Sequence, residues 1–413
     1  MELKMKYQYS YFIHPFVIDE KKYEQYLLKL LKDKHCKLKI FEKEKDLDIY
    51  TYFLPTVRQY MFATFDWDKE KEKQLDSFDE HTKSILLSKL PCTIFEYQLG
   101  EDVQGKVGEK NGIFFSVTKM EIICFQTGIG FITMKTNIEQ EETFSDILNF
   151  NYKFRDINSD FISLKEYENI RLQTSSFKDI KDLNTIIKKI TGSNKDAKQM
   201  NLEDERFLTY SYACIDQEQW NENKPFEEIQ GEFLKFTHIL PSNTQVNLEV
   251  NTEEMLSFQS LKYAKLGVTK QGTVLLTSTV NTQNYTKVPY AFEREYLYMY
   301  ILTLYKKLYL KKVNLELKSA KNFENARQQF IDFTQSIWIQ EITNDIGGSR
   351  LYHKWKQTLE LDNLYLEMKN KYDVVYKDLN IDKNRKISYI IAIVLIGILG
   401  LNIVNFILLF IKK

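Results

Sequence analysis

The chain has 413 residues, of which 28% are charged and 43% hydrophobic, and its 57 basic residues balance its 57 acidic residues. This balance provides no general attraction to polyanions, so we expect neither a nucleic-acid polymer as partner nor bulk adhesion to anionic lipid. The hydrophobic content is sufficient for a substantial core and excludes a disordered tether.

Cysteine and histidine follow no pattern typical of a disulfide scaffold or a zinc site. The four cysteines are scattered without a C-x-x-C pair, and the five histidines are isolated, which indicates a reducing compartment. Two acidic runs, Asp66-Trp67-Asp68 and residues 76–80, have the oxygen ligands that a divalent cation such as Mg²⁺ prefers. Such runs are more often solvated surface, so Mg²⁺ is an expectation without an assigned site.

The first part of the chain mixes predicted strands with predicted helices. A strand-like run at residues 9–17 precedes a charged helical stretch at residues 20–34, and no apolar signal segment comes before them. Further strands are predicted at residues 113–118, 121–126, 130–136 and 206–216, and a strand-rich passage at residues 263–279 contains another Gly-bearing turn within residues 266–276. The turn Thr127-Gly128-Ile129-Gly130 is typical of a hairpin and lacks the Gly-Lys-Ser/Thr of a phosphate loop. We predict an α/β cytosolic domain over residues 1–289.

Arginine is scarce, with eight residues against 49 lysines, so its planar five-donor group is of interest where it occurs. Arg155 follows Asn151 and Tyr152, a setting with an aromatic face for a base and a cation for a phosphate. The alternative, a salt bridge from Arg155 to a nearby acid, is the more common arrangement. Arg206 precedes a predicted strand that ends at Asp216, which either accepts from a ligand hydroxyl or amine or starts a turn.

After residue 289 the pattern changes to long amphipathic helices, which we interpret as a stalk over residues 290–386. Gly347-Gly348 is expected to break the helical pattern, with Ser349 capping the last helix. The tyrosines of the first helix are expected to pack between stalk helices. Three helices are predicted, at residues 293–312, 322–344 and 349–386, and the last runs onward without Gly or Pro.

The segment at residues 387–411 contains no charged residue. At about 1.5 Å per residue it is longer than a hydrocarbon core of about 30 Å, so it predicts one transmembrane helix and has no room for two. The flanking basic residues are denser on the side of the body: Lys383, Arg385 and Lys386 against Lys412 and Lys413. This asymmetry predicts a single-pass protein of the cell membrane with the bulk of the chain in the cytoplasm.

Asn402 and Asn405 lie on one face of this segment, where amides facing lipid would be costly. One interpretation is a ring of amides lining a pore in a homo-oligomer. The other is hydrogen bonding between packed helices, with Gly397 and Gly400 permitting close approach. Both interpretations imply self-association in a lipid bilayer.

An α/β body, long helices and a final helix that continues into a membrane segment resemble the CorA family of divalent-cation channels. The most similar stretches are Phe-Ile-Asp-Phe-Thr-Gln-Ser-Ile-Trp-Ile-Gln-Glu-Ile at residues 330–342, Leu-Tyr-His-Lys-Trp at 351–355 and Leu-Tyr-Leu-Glu at 364–367. CorA channels have two membrane helices with Gly-Met-Asn ending the first. Here Gly400-Leu401-Asn402 stands in a similar place and eleven residues follow, which argues against ordinary magnesium transport.

Some divergent CorA-like membrane proteins accompany type III CRISPR systems and resemble effectors gated by a nucleotide second messenger. The resemblance therefore implies a homo-oligomeric channel or membrane-disrupting effector, pentameric by analogy, gated by an adenylate-derived messenger bound to the cytosolic domain. No nucleophile, base and orienting group occur at a recognisable spacing, so we expect no enzyme. The alternatives are a residual magnesium transporter and a tail-anchored scaffold without conduction.

Overall fold

The structure, a computed structural model, describes residues 2–100, 103–107, 112–139, 143–155, 170–174, 181–192, 200, 206–246, 255–257, 262–317 and 323–411. Within these ranges it describes only the backbone at residues 69, 72, 181, 255–257, 323, 324, 375, 378–384 and 401–411. The described chain is a mixed α/β protein with long helices, as the sequence predicted.

One 12-stranded mixed sheet runs through the described part of the body. Its strands are β1 (Met5–Val17), β2 (Cys36–Leu38), β3 (Cys92–Tyr97), β4 (Gln104–Val107), β5 (Ile113–Phe125), β6 (Ile129–Ile138), β7 (Ile170–Gln173), β8 (Lys181–Asp182), β9 (Leu208–Ile215), β10 (Met255–Ser257), β11 (Ala264–Thr269) and β12 (Gly272–Ser278). The order is β10-β11-β12-β9-β1-β6-β5-β4-β7-β8, with β3 beside β5 and β2 beside β3. Neighbours are antiparallel except β12 and β9, which are parallel.

Helices cover both faces of the sheet. They are α1 (Tyr23–Lys32), α2 (Leu47–Tyr52), α3 (Pro55–Met61), α4 (Lys69–Ser77), α5 (Glu80–Leu87), α6 (Phe144–Phe154), α7 (Leu183–Thr191), α8 (Gln230–Thr237), α9 (Gln283–Thr286), α10 (Val288–Ala291), α11 (Leu297–Leu317), α12 (Phe323–Asp332), α13 (Ile346–Thr358) and α14 (Leu361–Ile411). Short 3₁₀ turns lie at Glu20–Lys22, Ala63–Asp66 and Phe226–Ile229, and π turns at Phe292–Tyr296 and Phe333–Ile337.

The central strand β1 is buried on both sides. Tyr9 and Tyr11 point into one hydrophobic cluster and Phe12 and Phe16 into the other, as the period of two along a strand requires. This explains the continuous apolar run that predicted the strand. The first cluster is covered by α11 and the C-terminal helices, and the second by α1, α6, α7 and α8.

The predicted hairpin between β5 and β6 is confirmed. Gly128 has φ of 78°, a conformation that glycine adopts without strain, and its carbonyl accepts from Ile18 N at 2.7 Å. The prediction of two strands at residues 113–126 was wrong, because β5 is one strand with a bulge between Val117 and Lys119. The bulge lies where the two predicted strands were separated, and it disrupts the pairing locally without ending the strand.

The tyrosines of α11 pack against the sheet as well as against the C-terminal helices, where Tyr300 contacts Trp355 and Tyr309 contacts Phe333, so the predicted packing between helices was right only in part. Tyr305 stacks on Phe125 of β5 with ring centroids 3.8 Å apart, and Tyr300 lies 5.5 Å from Tyr210 of β9. The hydrophobic cluster on this face continues across residue 289, so the predicted domain boundary does not coincide with a boundary between cores.

The predicted break between the second and third helices lies at residues 338–345, just before Gly347-Gly348, which belong to the first turn of α13. The Asp345 carboxylate accepts from Gly348 N at 2.6 Å, so Asp345 caps α13 where Ser349 was expected to. A Cβ on Gly348 would lie 1.8 Å from the Tyr52 hydroxyl, so this glycine permits close packing. The predicted third helix has a further break, which the sequence did not indicate, at Glu360, whose φ is 57°.

The predicted helix at residues 322–344 ends earlier than expected. α12 continues through the π turn Phe333–Ile337 and stops at Trp338, whose ring stacks on Tyr365 of α14 at 4.5 Å. Beyond it, Thr343 pairs with Phe53. Contacts to two other elements thus replace further helical turns.

The helix α14 is continuous to Ile411, which confirms the predicted absence of a break at residues 380–386. Its first part packs on the body, where Leu361 and Met368 are buried, whereas residues 385–400 are all exposed. Among the side chains that the structure describes, no helix carries an apolar stretch long enough to cross a membrane. The side chains of Asn402 and Asn405 lie outside the described residues.

Candidate functional site

A cavity of about 370 Å³ lies at the edge of the sheet where β1 ends and β9 and β12 begin. Its size falls within the range of roughly 300–1,000 Å³ typical of small-molecule sites. The described lining residues are Pro15, Arg155, Arg206, Phe207, Leu208, Lys270, Gln271, Leu304, Lys307, Leu308 and Lys311. We call this cavity the basic pocket, after Arg155, Arg206, Lys270, Lys307 and Lys311.

The five cations come from four separate parts of the fold. Arg155 ends α6, Arg206 precedes β9, Lys270 lies in the turn between β11 and β12, and Lys307 and Lys311 lie one turn apart on α11. None of the described lining residues is acidic. Because several like charges repel unless an anion lies between them, this lining favours a negatively charged ligand.

Arg155 is 6% exposed and is held by contacts from two sides. Its Nη1 donates to Gln271 Oε1 at 2.8 Å, and its guanidinium lies 5.0 Å from the ring centre of Tyr152. Its backbone carbonyl accepts from Phe207 N at 2.9 Å. The guanidinium is therefore positioned at the pocket by both α6 and the β11–β12 turn.

A backbone hydrogen bond to β9 fixes the turn that contains Lys270. Gln271 O accepts from Thr209 N at 3.1 Å, which ties the turn to β9. A Cβ on Gly272 would lie 2.0 Å from Thr209 O, so only glycine allows the strands to approach this closely. Lys270 thus projects from a rigid point on the rim.

The rest of the described lining is largely apolar. Pro15, Phe207, Leu304 and Leu308 are buried side chains on the strand ends and on α11. An apolar wall facing several cations matches a ligand that carries both a phosphate and a flat ring. Nucleotides have this combination of groups.

Lys270 also contacts the C-terminal helices. Its Nζ donates to Glu360 Oε1 at 2.8 Å, and this hydrogen bond and charge lower the pKa of the Glu360 carboxyl below its usual range. Close by, Trp355 Nε1 donates to Thr273 Oγ1 at 2.9 Å. The rim of the pocket is thereby joined to the turn between α13 and α14.

No protein family, curated protein or solved structure matches this chain. The resemblance to CorA channels and the expected absence of enzyme activity therefore stay predictions. The interpretation of the pocket depends on its own geometry.

The structure brings together only some of the predicted ligand-binding residues. Arg155 and Arg206 line the basic pocket, and Tyr152 contacts it through Arg155. Asn151 is buried instead between two strands, where its Oδ1 accepts from Ser10 Oγ at 2.8 Å. Its role is to join α6 to the sheet.

Asp216 is separated from the pocket by the length of β9. At about 3.3 Å per residue the eight residues from Leu208 span roughly 26 Å. Its carboxylate lies 3.2 Å from Lys6 Nζ, and Glu218 N donates to it at 3.0 Å. Asp216 thus starts a turn, which was the second interpretation of this residue.

The acidic runs have structural roles at helix starts. Asp68 accepts from Lys71 N at the start of α4, and Asp79 accepts from Thr82 N at the start of α5. Across the described ranges, no group of three or more His, Cys, Asp or Glu is arranged to hold a metal ion. A Mg²⁺ site stays without assigned ligands.

Lys270, Lys307 and Lys311 were not among the predicted ligand-binding residues. One signal was present: Leu304, Lys307, Leu308 and Lys311 recur at the spacing of one helix face. Lysine is so abundant here that this face did not stand out. The turn before Gly272 was noted only for its strand geometry.

Proposed function

We propose that this protein is a homo-oligomeric membrane effector whose body binds a phosphate-bearing nucleotide messenger in the basic pocket, and that binding alters its C-terminal helix. The observation that carries this proposal is the convergence of five cations from four parts of the fold beside an apolar wall. Cations meet phosphate oxygens through strong charge-assisted hydrogen bonds, and apolar side chains accept the face of a base.

The membrane part of the proposal is supported by the exposed end of α14. Ile393 is 70% exposed and Ile396 is 68% exposed, and the neighbouring apolar side chains from Ile387 to Leu399 are exposed as well. So large an apolar surface is unfavourable in water and suits a lipid environment or a partner helix. Together with the uncharged sequence at residues 387–411, it favours a single membrane helix with a cytoplasmic body.

The same helix, α11, touches both the pocket and α14. It lines the pocket with Lys307 and Lys311, and its Asn314 Oδ1 accepts from Lys371 Nζ of α14 at 3.1 Å. A ligand that moves α11 therefore acts on α14 directly. Two parts of this proposal, the channel activity and the pentameric assembly, rest on the resemblance to CorA channels.

The test is the release of an ion or dye from liposomes that contain the purified full-length protein, measured with a panel of cyclic oligoadenylates and other adenylate-derived messengers. The proposal expects release with one messenger and none without it. The Lys307→Ala, Lys311→Ala double variant should lose release and binding together, because two phosphate-facing charges are gone. Lys369→Ala, at an exposed position of α14, is the matched control and should behave as the wild type.

The remaining outcomes separate the alternatives. Confirmed oligomers that release nothing with any messenger would support a tail-anchored scaffold without conduction. Release that requires Mg²⁺ and no messenger would support a residual magnesium transporter. Either result would overturn the proposal of a nucleotide-gated effector.

A further inference from the structure

Lys270 lines the basic pocket and also pairs with Glu360. Its Nζ donates to Glu360 Oε1 at 2.8 Å. The two side chains are 60% and 54% exposed. The ion pair therefore lies in water at the rim, where such pairs contribute little to stability.

Glu360 occupies the turn from which α14 starts. Its φ of 57° is a left-handed conformation that is unfavourable for a residue with a side chain. Its carbonyl accepts from Leu364 N at 3.0 Å, which makes it the first acceptor of α14, and Leu361 beside it is fully buried. The Lys270 contact thus lies on a strained residue at the base of the proposed membrane helix, where even a weak restraint acts on the start of α14.

We infer that a phosphate-bearing ligand in the basic pocket and the Glu360 carboxylate compete for Lys270, so that ligand binding releases the turn at which α14 begins. This inference rests on the proposed function and adds its coupling step. The single carboxylate charge forms a hydrogen bond with Lys270 and is otherwise close only to the charge of Lys307 among the pocket cations, whereas a multiply charged phosphate in the pocket faces all five. The ligand therefore attracts Lys270 more strongly than the Glu360 carboxylate does.

The contact must be broken or weakened for coupling to occur, because one exposed lysine cannot keep both partners at full strength. Loss of the ion pair removes a restraint on a residue that is already strained. The first turn of α14 then becomes freer to move, while Trp355 keeps α13 attached to Thr273. The position of α14, and not the fold of the body, is what the ligand changes.

The primary test is Glu360→Gln in the full-length protein. It keeps the size of the side chain and removes the competing charge, so binding of inorganic tripolyphosphate should tighten about two- to fivefold. Release from liposomes without any ligand should also rise. Asp373→Asn is the matched control, since Asp373 is an exposed carboxylate on the same helix; its binding and release should stay at wild-type values.

Two further variants complete the test. Glu360→Asn also removes the charge, and asparagine tolerates a left-handed φ, so it should give the same result with a folded chain. Lys270→Ala should weaken tripolyphosphate binding, and adding Glu360→Gln to it should change affinity no further, because the competition is already absent. Hydrogen exchange at residues 361–366 should accelerate when tripolyphosphate binds.

The outcomes distinguish this inference from the function on which it rests. One result would contradict the competition for Lys270 and still support the basic pocket as the ligand site. In it, Glu360→Gln and Glu360→Asn bind tripolyphosphate and release the liposome contents as the wild type does, whereas Lys307→Ala combined with Lys311→Ala abolishes binding. If the Lys307 and Lys311 changes leave binding of tripolyphosphate and of cyclic oligoadenylates unaltered, both the proposed function and the inference are overturned.

Discussion

Arg155 Nη1 donates to Gln271 Oε1 at 2.8 Å and so joins the end of α6 to the turn between β11 and β12. The two residues belong to elements on different sides of the sheet edge. Their contact closes one side of the basic pocket and holds the guanidinium beside Lys270. The geometry of the pocket depends on such contacts between distant parts of the chain.

Gln271→Leu should lower the free energy of unfolding by about 1 kcal/mol. The reason is that the charged guanidinium of Arg155 loses a hydrogen-bond acceptor at a partly buried site. Chemical denaturation monitored by circular dichroism measures this. Gln74→Leu, at an exposed position on α4, is the control and should have little effect. Equal stabilities for the two variants would contradict a structural role for the Arg155 contact.

Glu121→Gln should destabilise the body by about 3 kcal/mol, the cost of breaking a buried ion pair. Glu121 is fully buried, and its carboxylate lies 2.6 Å from Lys39 Nζ and 3.1 Å from Lys119 Nζ. Burial alone would raise its pKa, but the two lysines outweigh burial and lower the pKa to about 2. Denaturant midpoints at pH 7 test this, with the half-exposed Glu96→Gln as control.

The same carboxylate predicts a pH dependence. A lowered pKa means that the folded state holds the ionised form, so its stabilising contribution is complete above the ordinary pKa of about 4.5 and is lost as pH falls toward about 2. Across this pH interval the free energy of unfolding of the wild type should fall toward that of Glu121→Gln. A difference that stayed constant between pH 5 and pH 2 would contradict the ionised buried glutamate.

Glu295→Gln should stabilise the protein at alkaline pH. Burial raises the pKa of Glu295 to about 7, to which the charge of Asp48 adds. The folded state therefore favours the protonated form, and stability decreases as pH rises from about 4.5 through about 7. The variant has no charge to bury, so at pH 8 its free energy of unfolding should exceed that of the wild type by about 2 kcal/mol. At pH 4 the two free energies should be equal. Thermal unfolding at the two pH values measures both.

Asn402→Leu combined with Asn405→Leu should leave expression and body folding intact and abolish liposome release. This expectation follows from the sequence, because two amides on one face of the proposed membrane helix would either line a pore or join helices. Ile403→Leu is the control between them. Crosslinking separates the interpretations: intact oligomers without release indicate a pore, and lost oligomers indicate packing. Unchanged release would contradict both roles.

Much of the local structure was predictable. The apolar run of β1, the hairpin at Gly128 and the unbroken helix through residues 380–386 follow from residue spacing alone. The interpretation of the last helices failed where packing decided the outcome. Gly348 was predicted to form a turn, but it lies in a helix and packs closely against Tyr52. A further turn forms at Glu360, where no glycine indicates it.

Residue types and their spacing by themselves determined the α/β class, the main strands and the charge-free segment at residues 387–411, because these depend on neighbours a few positions apart. Only the tertiary structure decided that α11 covers the sheet and that Arg155, Lys270 and Lys307 share one pocket. These residues are far apart in the chain, and what joins them is the order of the strands and the burial of α11. That order is set by the packing of the whole core, which no short stretch of sequence contains.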